Sequence, residues 1–142
     1  MFDIENSLGF LLAKCHQKAF HIFRQKLEPY NLTPPQFATL AFLWKKDGVT
    51  QVKLGELMGV DRTTISGIVD RLERTELVRR DADAADRRSW MLFLTEKGRN
   101  MEGELSPLAR EFNDSLAMDL SEDERSQLVT TLAKIRFSLK HS

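Results

Sequence analysis

Leu54-Gly55-Glu56-Leu57-Met58-Gly59-Val60-Asp61-Arg62-Thr63-Thr64-Ile65-Ser66-Gly67-Ile68-Val69-Asp70-Arg71-Leu72 is the stretch that decides the fold of this chain. Leu54, Leu57 and Val60 lie on one side of a turn, and Ile65, Val69 and Leu72 on the other. Both sets recur at helical spacing and can bury against each other. Gly59 suits a sharp turn, and Asp61 is placed to cap a second helix over residues 62–75. On that helix Ile65, Ile68, Val69 and Leu72 fall within an arc of about 100°. The opposite face presents Thr63, Ser66, Gly67, Asp70 and Arg74, flanked by Thr64 and Arg71. Short side chains let a helix sink into a DNA major groove; hydroxyls and arginines serve base edges or phosphates. A merely solvated helix face has the same composition, so the neighbouring segments must decide between the two.

Downstream, β-prone stretches at 77–80 and 89–94 enclose Asp81-Ala82-Asp83-Ala84-Ala85-Asp86-Arg87-Arg88, a polar loop suited to a hairpin tip. Arg87 and Arg88 have little packing purpose there. A wing beside a recognition helix reaches the adjoining minor groove, whose narrow A·T-rich form attracts arginine electrostatically. Asp86 can hold a guanidinium in a fixed fork geometry or simply form the turn. Thr95-Glu96-Lys97-Gly98 reads as the cap of a long helix to about residue 120, which Pro107 should kink or interrupt. Ser121-Glu122-Asp123-Glu124 is a capping box with acids at the positive end of the dipole, opening a last helix with Leu128, Leu132, Ile135 and Leu139 at helical spacing.

Upstream, residues 4–27 on a helix gather Ile4, Leu8, Leu11, Leu12, Cys15, Ala19, Ile22, Phe23 and Leu27 on one side. With Phe20 and Ala13 the arc reaches on the order of 200°, wider than a one-sided surface helix needs. Such a helix packs on two partners, and another chain is a candidate for one of them. Pro29 ends it. Thr33-Pro34-Pro35-Gln36 supplies a cap, a proline at the first helical position and a capping-box return. Phe37, Leu40, Ala41, Leu43 and Trp44 form the apolar stripe of that second helix, Gly48 stops it, and a short helix follows around 52–58. The reading is a mainly α chain with a small β-hairpin, a winged helix-turn-helix flanked by N- and C-terminal helices.

Composition narrows the classes. The chain has 142 residues, 42% of them apolar, with 21 basic and 21 acidic side chains and a formal net charge of zero, so it is no bulk basic binder. Charge is unevenly spread: residues 1–53 hold seven basic and four acidic side chains, whereas residues 101–126 hold eight acids against Arg110 and Arg125. Nucleic acid is therefore expected at the first two thirds of the chain. No apolar run approaches the roughly 18 residues of a membrane span, and the start lacks a secretory pattern. The single Cys15 excludes an intrachain disulfide and fits a reducing cytoplasm. There is no nucleophile elbow, phosphate loop or Cys/His pairing, so no enzyme is expected. His16 and His21 diverge by over a hundred degrees on a helix, and no metal or other cofactor is expected.

The chain resembles the MarR family of bacterial regulators. The matching stretches are Leu57-Met58-Gly59-Val60-Asp61-Arg62-Thr63-Thr64-Ile65-Ser66, Val69-Asp70-Arg71-Leu72-Glu73, and Asp86-Arg87-Arg88 followed by Leu94-Thr95-Glu96-Lys97-Gly98. The resemblance implies one domain over 1–142. Within it, 33–98 would be the DNA-binding lobe, and 1–30 and 100–142 dimerisation helices that form a homodimer. It implies a sequence-specific regulator of double-stranded DNA with a pseudo-palindromic operator, a repressor released by a small-molecule ligand. Arg62, Thr63, Thr64, Ser66 and Gly67 would read the major groove, with Arg71 and Arg74 beside them. Arg88 would enter the minor groove next to Arg87, oriented by Asp86. Glu76 departs from the pattern, since relatives carry glycine at this helix end.

The first helix and Asn31-Leu32-Thr33-Pro34-Pro35-Gln36-Phe37 look like the organic-hydroperoxide-sensing branch. Aligned without gaps, that branch's reactive cysteine falls on Gly9 and its tyrosines on Phe23 and Pro34, so its chemistry is missing. Cys15, inside the apolar arc, is expected to be a small buried hydrophobe; a redox-responsive regulator using it is the alternative. An aromatic or phenolic effector would find Ala13, His16, Phe20, Phe37, Leu40 and Trp44 as pocket candidates, each also readable as core. A winged helix used only for protein–protein contact is the other rival, and Arg87-Arg88 argue against it.

Overall fold

The computed structural model describes residues 1–139. A 3-10 turn at Ile4–Asn6 precedes helix α1 (Leu8–Leu27), and a second such turn, Glu28–Tyr30, carries Pro29 where α1 stops. Helix α2 (Pro34–Lys45) opens on the expected capping box: Gln36 N–H donates to Thr33 Oγ1 and Thr33 N–H donates back to Gln36 Oε1. Strand β1 (Val49–Thr50) leads into α3 (Gln51–Met58), capped by Thr50, and α4 (Arg62–Arg74), capped by Asp61. Gly59 closes α3 at φ 69°, a left-handed conformation that costs a residue without a Cβ least. Strands β2 (Val78–Ala82) and β3 (Trp90–Leu94) form the hairpin, followed by α5 (Glu96–Asn100), α6 (Glu102–Leu116) and α7 (Glu122–Ser138).

The sheet has three strands in the order β1-β3-β2, all antiparallel, with Val78 opposite Leu94, Arg80 opposite Leu92, and Val49 opposite Leu92 on the other side. Two residues are too few to show alternation, so β1 left no strand pattern in the sequence. Leu40 and Leu43 of α2, Leu54 of α3, Ile65, Val69 and Leu72 of α4, Val78 of β2 and Leu92 and Leu94 of β3 are buried together with Leu27. Strands β2 and β3 thus turn alternate residues to the helices. The helix-turn-helix packs through Leu54 against Ile65, Val69 and Leu72, whereas Leu57, expected on the same seam, is exposed and Val60 is half-buried.

The expected single helix to residue 120 is instead interrupted at Met101. The interruption coincides with a crowded joint. Trp44 Nε1–H donates to the Gly98 carbonyl at 2.9 Å; a continuous helix would give that carbonyl to the Glu102 amide. Pro107 sits inside α6 without ending it.

The chain forms two compact units, Met1–Ser106 and Pro107–Ser142. In the second, Ser121 and Glu124 complete a reciprocal capping box at the start of α7, and Arg125 ion-pairs with Asp114 at 2.8 Å. Apolar surface is plentiful outside the core. Leu8, Leu11, Leu12 and Phe20 on α1, and Leu128, Val129 and Leu132 on α7, are exposed in the single chain. Cys15 is exposed as well, which corrects the expectation of a buried thiol: α1 buries only Phe23 and Leu27, at its C-terminal end. No helix among the described residues is long and apolar enough to cross a membrane.

Candidate nucleic-acid interface

Helix α4 is anchored by its inner face and capped at its start. Thr64 N–H donates to Asp61 Oδ1 at 2.7 Å, and the Thr64 hydroxyl and amide together hold the Asp61 carboxyl below the usual carboxylate range. A negative cap at the positive end of the dipole fixes where the helix begins. Arg62, Thr63, Thr64 and Gly67 are then exposed on the first two turns. No heavy atom lies within 4 Å of where a Gly67 Cβ would stand, so the helix surface is open there.

Two residues of the outward face are already engaged by the protein. Asp70 ion-pairs with Arg80, and Ser66 is half-buried, its carbonyl accepting Arg80 Nη2 at 3.1 Å and its hydroxyl oxygen lying 3.4 Å from the same nitrogen. Arg80, unassigned by the sequence reading, is the hub of the lobe. Its side chain is only 11% exposed; Nε donates to Gln51 Oε1 at 3.0 Å, and Nη1 also reaches Glu73 at 3.3 Å. One guanidinium from β2 therefore fastens the hairpin to α3 and to three positions of α4. A planar fork with five donors can do this, whereas a lysine ammonium cannot. The signal was in the strand period: Arg80 shares its face with buried Val78, so it needed partners, and Asp70 and Glu73 lie three apart on the facing helix.

The hairpin tip is held by its own backbone. Asp83 N–H donates to Ser89 O at 3.1 Å, Ser89 N–H to Asp86 O at 3.0 Å, and Asp83 Oδ1 accepts from Ala85 N–H. Asp86 Oδ1 accepts the Arg88 backbone N–H at 2.9 Å. Asp86 thus shapes the turn, where the resemblance had it orient the Arg88 guanidinium. The side chains of Arg87 and Arg88 are exposed and have no hydrogen-bond or ion-pair partner among the described residues. Arg71 and Arg74, likewise exposed, line a cleft against α1 and the start of α2.

The base of the wing is a close joint. A Cβ on Gly98 would stand 2.1 Å from the Leu77 carbonyl oxygen, which accepts the Thr95 N–H at 3.1 Å. Thr95 Oγ1–H donates to Glu76 O, and Glu76 itself adopts φ 62°. The glycine expected at that helix end is a left-handed position, here filled by a glutamate.

The six effector candidates are scattered in character. Leu40 is fully buried core and Trp44 spends its indole N–H on Gly98. Phe37 stacks edge-on with Phe23 and Trp44, at 5.1 and 5.8 Å between centroids. Ala13, His16 and Phe20 lie exposed along α1, the last two 5.7 Å apart.

Residues 32–90 match the MarR family model. The HTH-type transcriptional repressor NicR of Pseudomonas putida is 34% identical over 134 residues, covering 94% of this chain and 85% of that protein. The S. aureus MepR–DNA complex superposes with a TM-score of 0.85 at 29% identity, covering 94% of this chain and 98% of that one. Bordetella bronchiseptica BpsR, whose DNA binding is regulated by 6-hydroxynicotinic acid, superposes with a TM-score of 0.84 at 30% identity over 91% and 98% of the two chains. With its capped recognition helix, pinned wing and these likenesses over nearly its full length, the chain belongs to the MarR family of winged helix-turn-helix transcriptional regulators.

Proposed function

We propose that the chain is a homodimeric, sequence-specific repressor, released from double-stranded DNA by a small ligand and carrying no catalytic activity. Arg62, Thr63, Thr64, Ser66 and Gly67 read the major groove; Arg71 and Arg74 hold phosphates, and Arg87 and Arg88 reach the minor groove. The observation that carries this reading is the division of labour among the cations. Arg80 is spent on fastening the wing to α4, while Arg87 and Arg88 at the tip are left unpaired beside an open helix surface.

The exposed apolar side chains of α1 and α7 support a second copy covering them, and residues 1–30 and 100–142 are the proposed dimerisation segments. Residues 140–142 of the second segment lie outside the described residues. Two recognition helices would then sit about 34 Å apart on a pseudo-palindrome. The regulator works in the cytoplasm, where the DNA is. Repression and ligand release are supported by a repressor and a ligand-regulated protein among the relatives.

The test is a mobility shift on the intergenic DNA beside the chain's own gene at two salt concentrations. Each phosphate contact releases counterions, so affinity should fall steeply with salt, and Arg88→Ala should make the slope shallower by about one. Absence of binding to any pseudo-palindrome at low salt would overturn the reading.

A further inference from the structure

A cleft of about 650 Å³ lies between the C-terminal half of α1, the start of α2 and the end of α4. That volume suits a small organic ligand. Its lining is unusual in sign. Arg24, Arg71 and Arg74 contribute three guanidinium groups, and Glu28 is the single carboxylate opposing them. None of the three guanidinium groups has a hydrogen-bond or ion-pair partner among the described residues, so their charge is not cancelled where it stands. A concave surface of one sign concentrates counter-ions.

The neutral lining points the same way. Gln36 is only 7% exposed and gives its Oε1 to the Thr33 amide, which leaves its NH₂ group unpartnered among the described residues. Among the described residues no fully buried side-chain nitrogen or oxygen lacks a partner, so that NH₂ is not sealed from solvent, and Gln36 lines the cleft. Thr33 Oγ1 accepts the Gln36 amide and keeps its hydroxyl proton to donate. Donors therefore predominate, and the matching ligand is an acceptor with negative charge. Leu32 is the one apolar side chain in the lining, which disfavours a flat hydrocarbon.

We propose that this cleft binds a small, polar organic anion bearing carboxylate groups, and that the anion competes with DNA phosphates for Arg71 and Arg74. The proposal rests on ligand-released DNA binding and names the site and ligand class. Both arginines belong to the recognition helix, so anion and operator draw on the same guanidinium groups. A ligand that binds the DNA-free state better shifts the population away from DNA by its differential affinity.

Citrate is the probe, with benzoate as an apolar comparison, and chloride keeps ionic strength constant. Calorimetric titration of the full chain without DNA should show saturable citrate binding, tighter than benzoate. Arg24→Gln should weaken citrate binding about tenfold, the value of one lost charge-assisted contact of roughly 1.4 kcal/mol. In mobility shifts, Arg24→Gln should keep wild-type DNA affinity within twofold and lose the citrate sensitivity of the wild type. Absence of saturable citrate binding, or equal binding by the variant, overturns the proposal. So does a loss of DNA affinity in Arg24→Gln with a shallower salt slope, because the cleft is then a phosphate contact. Failure of the wild type to bind DNA would refute the proposed function, while the calorimetric arm still tests the anion site.

Discussion

Gly98 is the residue at which one methyl group should cost the most. A Cβ there would lie 2.1 Å from the Leu77 carbonyl oxygen and 3.0 Å from the carbonyl carbon. Relief requires a separation of about 3.2 Å or more, hence a backbone shift of about 1 Å. Both sides of the contact are tied down. Leu77 O accepts the Thr95 amide at 3.1 Å, Gly98 N–H donates to Thr95 Oγ1 at 3.1 Å, and Gly98 O accepts from Trp44 at 2.9 Å. Overpacking costs about 1–3 kcal/mol, and the loss of one such part-buried hydrogen bond about 1–2 kcal/mol more. Gly98→Ala should therefore lose about 3 kcal/mol, seen as a fall of roughly 10 °C in Tm for a chain of this size.

The comparison variant is Gly103→Ala, where no heavy atom lies within 4 Å of the added carbon and the residue is in helix α6. It should be neutral or stabilising by up to about 1 kcal/mol. Thermal unfolding of both variants at one fixed protein concentration separates packing from any shift in assembly. A loss below about 1 kcal/mol for Gly98→Ala would refute the close approach of α5 to the wing base.

Arg80→Lys should lose about 1–2 kcal/mol, because the partner acids Asp70 and Glu73 are nearly half exposed and recover water. In mobility shifts it should weaken DNA binding while leaving the salt slope close to wild type, in contrast to Arg88→Ala. Glu76→Gly should raise stability in urea unfolding by about 0.5–1 kcal/mol, since φ 62° strains a residue with a Cβ. Asp61→Asn tests the cap. The lowered pKa makes its carboxylate stabilise the fold fully above the ordinary value of 3.8 and progressively less as the pH falls through the lower folded value. The stability difference between wild type and this variant should shrink on acidification below that value, and a constant difference would show that the carboxylate is not engaged.

The sequence was most readable where a local rule acted alone. Thr33, Asp61, Thr95 and Ser121 each cap a helix as their side chains require, through hydrogen bonds spanning three residues. Leu54 on one side of Gly59 and Ile65, Val69 and Leu72 on the other were legible for the same reason, while Leu57 shares their spacing and stays exposed. What stayed hidden depends on distant partners. The break at Met101 lies just past Gly98, whose carbonyl accepts from an indole 54 positions away, and β1 exists only because β3 offers it an edge. Cys15 was misplaced because a wide apolar arc says which residues avoid water, and among the described residues Leu8, Leu11, Leu12 and Cys15 itself stay exposed in the single chain. At the site, exposure of Arg62 and Arg88 was legible from polar periodicity and loop position. The diversion of Asp70 to Arg80 was not, because it needs the hairpin folded back on the helix.

That diversion explains how a chain of zero net charge can present a cationic surface. Arg79 pairs with Asp81 at 3.3 Å, Arg80 with Asp70 and Glu73, and Arg99 with Asp47 at 3.5 Å. The side chains of Arg62, Arg71, Arg74, Arg87 and Arg88 have no hydrogen-bond or ion-pair partner among the described residues, and every one lies on α4 or at the wing tip. Asp47, Asp70, Glu73 and Asp81 are spent on Arg79, Arg80 and Arg99, and none of these acids pairs with the arginines that α4 and the wing tip present to solvent. The acids of residues 101–126 balance the total later in the sequence. Binding strength at such a surface is set by a few positioned guanidinium groups, so removing them one by one should lower the salt slope in nearly equal steps, which a uniformly basic surface would not do.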